Sequence, residues 1–259
     1  MGINGTHYHK LCEKGVTVMN TNNIKAKMAA GEKAYGCGFQ FPCLQIVEMV
    51  GLLGFDYIFI DGEHGTFTLT DIEQMGMVAE SRGLAVLARV PNIHPSTILR
   101  FLDRGVMGIT GPHICTRADA ETLVRACKYA PQGMRSYVGH RVKAYGIPDD
   151  LDIAALMAQV NEEVLVSAQI EDALGLENLP EILKVDGLDV VGFGPGDLAQ
   201  SLGHPGQSDH PEVVQAMVEA EEQIRASGKA LSEDVMDHAS VVQWIAQGGR
   251  DFLRTMRGK

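Results

Sequence analysis

From residue 24 onward the chain alternates between two hydrophobic patterns. Short apolar runs recur: AYGCGF, FDYIFID, LAVLARV, VMGITGPHI, EVLVSAQIE and LDVVGFGPGD. Such runs predict strands buried on both faces, as in a parallel sheet covered by helices. Between them lie longer segments whose apolar residues return every three or four positions. These predict helices over NIKAKMAAGE, CLQIVEMVGLLG, TLTDIEQMGMVAESRG, PSTILRFLDRG, RADAETLVRACKYA, about Leu151–Asn161, part of ENLPEIL, and PEVVQAMVEAEEQIRASG. Thr68 or Thr70 is a natural N-cap, and Pro95 suits a first turn. Near the end, KALSED and DFLRTM read as strands flanking a helix at HASVVQWIAQGG. Eight strands alternating with helices favour a (β/α)8 TIM barrel over a doubly wound sheet.

Residues 1–23 show no clear period and read as an N-terminal arm; residues 24–259 read as one barrel domain. The polar stretch PQGMRSYVGHRVKAYGIPDD is longer than an ordinary connection, which marks it as a functional loop. On this reading nothing follows the last strand, so the barrel lacks its final C-terminal helix. Seven covering helices on eight strands would leave apolar surface near DFLRTM for a partner to bury.

In a barrel the chemistry sits at the carboxyl ends of the strands, and the unusual polar residues fall there. Asp61 and His64 end the second strand, with Glu63 in an outer shell between them. Arg89 ends the third strand. Pro112 and His113 close the fourth, Gln169 and Glu171 the fifth, and Gly196 and Asp197 the sixth. Each alone has an ordinary reading as a helix cap or surface charge, and Asp197 is placed to cap the helix that follows. Together they deliver polar groups from five successive strands to one rim.

Composition narrows the partners. The 259 residues carry a formal net charge of −11, which argues against nucleic acid and anionic membrane as binding surfaces. The five cysteines are scattered and form no C-x-x-C, as expected of reduced thiols in a cytoplasmic protein. No apolar run approaches a membrane span, and no signal peptide is visible. MGINGT matches the myristoylation pattern, but no polybasic segment accompanies it.

The rim residues can do specific work. Two carboxylates on adjacent strands, Glu171 and Asp197, repel unless a cation bridges them. Hard oxygen ligands suit Mg²⁺ or Mn²⁺. The GPGD turn lets backbone amides approach an anion. Arg89 offers a fork to a carboxylate or oxyanion. His64, oriented by Asp61, can serve as a general base near neutral pH. This set fits the formation of an enolate beside a carbonyl. No G-x-S-x-G elbow or P-loop is present, and no lysine falls at a strand's carboxyl end to form a Schiff base.

FDYIFIDGEHG, LARVP, YAPQGMRSYVG, AQIED with ENLPEIL, and VGFGPGDLAQSLGHPGQSDHPEV, in that order, resemble the HpcH/HpaI family of metal-dependent pyruvate aldolases. The resemblance runs from about Ile24 to Met256. It implies a barrel of the phosphoenolpyruvate/pyruvate superfamily in a homo-oligomer, hexameric or dimer-based, that interconverts a 4-hydroxy-2-oxo acid with pyruvate and an aldehyde. It implies a divalent metal on Glu171 and Asp197, Mg²⁺ or Mn²⁺ foremost, with Co²⁺ or Zn²⁺ compatible. Pyruvate would touch Gln169, the Gly196 amide, Asp197 and Arg89. His64 would be the base and Arg89 the transition-state stabiliser. Asp103 would raise the basicity of His64, from this chain or a neighbouring subunit. Two departures stand out: His113 where family members commonly carry an apolar residue, and the absent final helix. Two rival readings remain, a citrate-lyase-like CoA-ester lyase and a non-catalytic metabolite-binding barrel.

Overall fold

The computed structural model describes residues 21–137, 141–146 and 152–258. Residues 1–20, with the myristoylation-like start and most of the expected arm, and parts of the 131–150 loop lie outside these. Eight strands form one parallel sheet: β1 Ala34–Phe39, β2 Tyr57–Asp61, β3 Ala85–Arg89, β4 Gly108–Gly111, β5 Leu165–Ile170, β6 Val190–Phe193, β7 Ala230–Leu231 and β8 Met236–Ser240. Helices follow or precede them: α1 Asn23–Ala30, α2 Leu44–Leu52, α3 Leu69–Ser81, α4 Pro95–Leu102, α5 Arg117–Cys127, α6 Ile153–Glu163, α7 Ala173–Glu177, α8 Leu179–Ile182, α9 Pro195–Ser201, α10 Pro211–Ser227, α11 Ser232–Val235 and α12 Val241–Arg257. A 3₁₀ segment, Arg141–Gly146, lies within the long loop.

The helix starts are written in side chains. Thr68 and Asp71 form a capping box at α3, and Thr116 and Asp119 another at α5. His94 caps α4 just before Pro95. The expected arm ends earlier than read. Asn22 is buried, and its amide donates to the carbonyls of Met107 and Glu163. The body of the fold therefore already includes Asn22.

The hydrogen-bonded order runs β7-β6-β5-β4-β3-β2-β1-β8. Among the described residues no ladder joins β7 to β8. The sheet nevertheless curls, because Ser232 beside β7 and His238 on β8 line the same cavity as residues of β2 to β6. Alternation along each strand sends one set of side chains inward. The inner floor is apolar: Tyr57, Leu87, Leu165, Val190 and Met236 pack together. The outer faces meet the helices in a larger cluster that includes Ile58, Ile60, Val86, Ile109, Val166 and Val191.

The C-terminal expectation needs correction. HAS, expected to begin the last helix, belongs to strand β8 (Met236–Ser240), which pairs with β1 from Ala34↔Met236 to Gly38↔Ser240. Ser240 then caps α12 with a capping box to Gln243. DFLRTM is not a strand but the end of that 17-residue helix. Its apolar residues Phe252, Leu253 and Met256 continue the helical spacing of Val241, Trp244 and Ile245. A final helix is therefore present. KALSED likewise shrinks to a two-residue strand followed by the short α11.

Candidate active site

The rim forms where β2 to β6 end. Asp61 and Arg89 are direct cross-strand partners, and the pair is bidentate: Arg89 Nε donates to Asp61 Oδ1 at 3.1 Å and Nη2 to Oδ2 at 2.8 Å. Asp61 also accepts the main-chain N–H groups of Glu63 and His64, at 3.3 and 3.2 Å. Burial alone would raise this carboxyl. The Arg89 fork and the His64 amide outweigh it and hold it below its ordinary value. Asp61 is 6% exposed and is spent on holding Arg89 and the turn. Its bond to His64 goes to the amide, so the expected orientation of the ring by Asp61 is not what is found. The ring points outward, 63% exposed, with Nε2 3.9 Å from Glu63.

Glu63, expected in an outer shell, lies inside the cluster. Its carboxylate is 3.2 Å from Arg89 Nε and 3.8 Å from His113 Nε2. Arg89 Nη1 reaches Gln169 Oε1 at 3.5 Å, and Gln169 Nε2 donates to Glu171 Oε2 at 2.8 Å. One chain of polar contacts therefore joins β2, β3 and β5.

Glu171 stands one residue beyond β5 and is 1% exposed. Burial raises its carboxyl, partly offset by the His113 N–H donated to Oε1 at 2.8 Å. His113 adopts a left-handed conformation, φ +49°, uncommon for a residue with a side chain. Its ring places Nδ1 3.0 Å from Asp172 Oδ2 and 3.6 Å from Glu171. Desolvation lowers its pKa, but the Asp172 bond and the surrounding carboxylates raise it more.

The glycine turn presses on this group. A Cβ on Gly194 would fall 2.2 Å from Glu171 Oε2 and 2.6 Å from Gln169 Nε2, so only glycine fits. Gly196, by contrast, has open space around it. The chain passes over Glu171 and enters α9, and Asp197 occupies the first turn of that helix, exposed and without a capping bond.

Asp103 does not join the site within its own chain. It is the C-cap of α4, which runs back from the Arg89 rim toward the start of β4, and Arg135 Nη2 binds it at 3.1 Å. The sequence reading also missed His238. This side chain stacks on Phe59 with centroids 4.5 Å apart and lines a cavity of about 280 Å³ with Asp61, Arg89, Thr110, Ser167 and Gln169. Burial lowers its pKa, favouring the neutral ring. No local signal announced it, because MDHAS reads as the edge of a helix.

The donor set suits a hard cation. Asp61 and Glu63 pair with Arg89, and Glu171 and Asp172 face the His113 ring, with Asp197 on the adjoining helix. This excess of carboxylate oxygen fits a divalent ion. Lysine is absent from the cavity lining among the described residues, which leaves no amine there for a Schiff base.

The HpcH/HpaI aldolase/citrate lyase family model matches residues 43–257. The chain is 35% identical over 210 residues to a 4-hydroxy-2-oxovalerate aldolase of Rhodococcus jostii (strain RHA1), covering 81% of this chain and 80% of that one. It is 34% identical over 230 residues to a 5-keto-4-deoxy-D-glucarate aldolase of Salmonella paratyphi C (strain RKS4594), covering 87% and 88%. Among solved structures, an HpcH/HpaI aldolase/citrate lyase family protein from Burkholderia cenocepacia J2315 superposes with a TM-score of 0.83 at 27% identity, over 92% of this chain and all of that one. With the polar rim and the matched span in agreement, the chain belongs to the HpcH/HpaI aldolase/citrate lyase family.

Proposed function

We propose that the protein is a divalent-metal-dependent pyruvate aldolase, a carbon–carbon lyase that cleaves a 4-hydroxy-2-oxo acid to pyruvate and an aldehyde, reversibly. The observation that carries this is the buried Glu171 beneath the Gly194 turn, linked through Gln169 to the Arg89–Asp61 pair. The body of the fold, from Asn22 onward, acts as one (β/α)8 barrel of the phosphoenolpyruvate/pyruvate superfamily, preceded by an arm, in the cytoplasm. No described helix is long and apolar enough to cross a membrane.

Glu171 and Asp197 would hold Mg²⁺ or Mn²⁺, which supplies Lewis-acid polarisation of the 2-oxo group. The Gly196 amide, in the first turn of α9, and the Gln169 amide face the pyruvate half. In cleavage, the exposed His64 ring takes the proton from the C4 hydroxyl. The C3–C4 electron pair then passes to C3 as the aldehyde leaves. Negative charge develops on the 2-oxo oxygen, where the guanidinium of Arg89, held rigid by Asp61, stabilises it. Protonation at C3 yields pyruvate. Asp103, bound by Arg135 within the chain, would act on His64 across a subunit contact.

A homo-oligomer accompanies this reading. Ile245, Phe252, Leu253 and Met256 of α12 are exposed, while Trp244 packs on Phe55. Such an apolar stripe fits burial against a second copy.

The test is aldol cleavage and synthesis with pyruvate and a panel of aldehydes, before and after chelation. Activity should vanish with chelator and return with Mg²⁺ or Mn²⁺. Borohydride with pyruvate should leave the protein mass unchanged. Turnover of thioesters alone would select the CoA-ester lyase instead. No turnover with either substrate class would leave a binding barrel.

A further inference from the structure

Away from the rim, the connection between α9 and α10 gathers His204, His210 and Glu212. One ligand atom from each lies within 4.8 Å of the others. His204 Nε2 and Glu212 Oε2 are already 2.8 Å apart. Two ligands of a tetrahedral ion, with bonds of about 2.0–2.2 Å, sit about 3.4 Å apart, so this pair opens by about half an ångström to admit one. The His204 and His210 rings stack with centroids 3.6 Å apart at 16°.

The connection is built rather than loose. Gly203 and Gly206 take positive φ, and main-chain bonds run from His204 to Ala199, Gln207 to His204 and His210 to Gln207. His210 caps α10, its Nδ1 accepting the Glu212 N–H at 3.3 Å. The aldol chemistry proposed above uses none of these three side chains.

We propose that His204, His210 and Glu212 form a second divalent-metal site, distinct from the carboxylate rim. Two imidazoles and one carboxylate suit a borderline ion such as Zn²⁺, whereas the all-oxygen rim suits Mg²⁺. Stacked rings direct their nitrogens side by side, so His204 rotates slightly to converge on the ion. Ligation through His210 Nε2 moves that ring's proton to Nδ1 and releases the long cap bond. Glu212 exchanges its hydrogen bond with His204 for the ion itself. A bound ion would clamp the connection that follows α9, the helix carrying Asp197.

The experiment uses the metal-stripped full chain with Glu171→Gln and Asp197→Asn, which silences the rim. Equilibrium dialysis against Zn²⁺ should show one ion retained per chain, undisturbed by excess Mg²⁺. Co²⁺ in its place should give visible d–d bands characteristic of nitrogen ligation. In that background, His204→Ala should weaken Zn²⁺ binding by more than the about 10–100-fold typical of losing a mere supporting group. His210→Asn should do the same while keeping the helix cap, since asparagine caps well. Circular dichroism checks that both variants stay folded. A rim-silenced chain that binds no Zn²⁺, or histidine variants that bind it unchanged, overturns the site. Neither result depends on whether the rim is an aldolase.

Discussion

The two halves of the sheet are built to different standards. From β2 to β5 the strands have four to six residues, and their ends interlock through the Arg89–Asp61 fork and the Gln169–Glu171 bond. At the other side β7 has two residues, β8 pairs only with β1 among the described strands, and α12 leaves apolar residues in solvent. Rigidity is concentrated where charge must be held against burial. On the β7–β8 side the matching fork, Arg225 on Asp234, lies in solvent rather than in a buried rim, and α12 turns apolar surface outward. The comparison assigns chemistry to the first region and assembly to the second, and variants on each side test that division.

The largest effect belongs to Glu171. Glu171→Gln keeps the shape and removes the charge a cation would answer. It should abolish retention of Mg²⁺ or Mn²⁺ at the rim, read by elemental analysis after gel filtration, and abolish turnover with it. Activity that survives exhaustive chelation would move the chemistry away from this rim.

His64 and Arg89 sharpen the division within the rim itself. His64→Ala should cost about 10²–10⁴-fold in cleavage, and Arg89→Ala about 10²–10³-fold. Their effects on stability should diverge. The exposed His64 ring has little packing to lose, so its variant should stay within about 0.5 kcal/mol of the parent. Arg89→Ala strands the buried Asp61 carboxylate, a loss of about 3–5 kcal/mol, measurable by urea denaturation. Arg89→Ala should also slow solvent exchange of the pyruvate methyl protons, which passes through the same enolate. Equal stabilities for the two variants would mean that the fork holds nothing together.

The same fork predicts an acid limit. The Asp61 carboxyl is held below its ordinary value of 3.8 in the fold. Such a group contributes its full stability above the unfolded value, and loses it as pH falls through the lower folded value. The contribution should therefore be intact above about pH 5 and fade below about pH 4. In Asp61→Asn that part of the acid dependence should flatten.

On the other side, Phe252→Asp and Met256→Lys place charges on the apolar stripe of α12. Sedimentation should show the parent as an oligomer and the double variant as a smaller species. A parent that sediments as a monomer would mean that this stripe has no second copy to meet.

How much of this was legible differs between the regions for a physical reason. β2, β3 and β5 read correctly because fully buried parallel strands are unbroken apolar runs, and Asp61, Arg89, Gln169 and Glu171 interrupt those runs where they end. MDHAS failed because Met236 and His238, one apolar and one polar, line the same cavity while Ser240 turns to cap the last helix, so neither period appears. DFLRTM failed because three apolar residues in six fit a strand until set beside Trp244 and Ile245, whose helical phase they continue. The contact of Asp61 with the His64 amide rather than its ring, and the entry of Glu63 into the cluster, depend on how the DGEH turn folds back. No spacing rule reports that.

His113 offers the smallest and most discriminating effect, because its backbone and its ring make separate contributions. The backbone is left-handed and its N–H holds Glu171; the ring meets Asp172 and faces Glu63. His113→Gly removes the ring and makes the conformation easy, whereas His113→Ala removes the ring and keeps the strain. The glycine variant should be the more stable of the two by about 1–2 kcal/mol, the usual left-handed penalty of a side chain. Both variants keep the N–H to Glu171, so both should retain metal. If the ring contributes to the rim, they should share one altered KM for the aldehyde half whatever their difference in stability. If only the strained backbone matters, the alanine variant should behave as the parent and the glycine variant alone should depart from it.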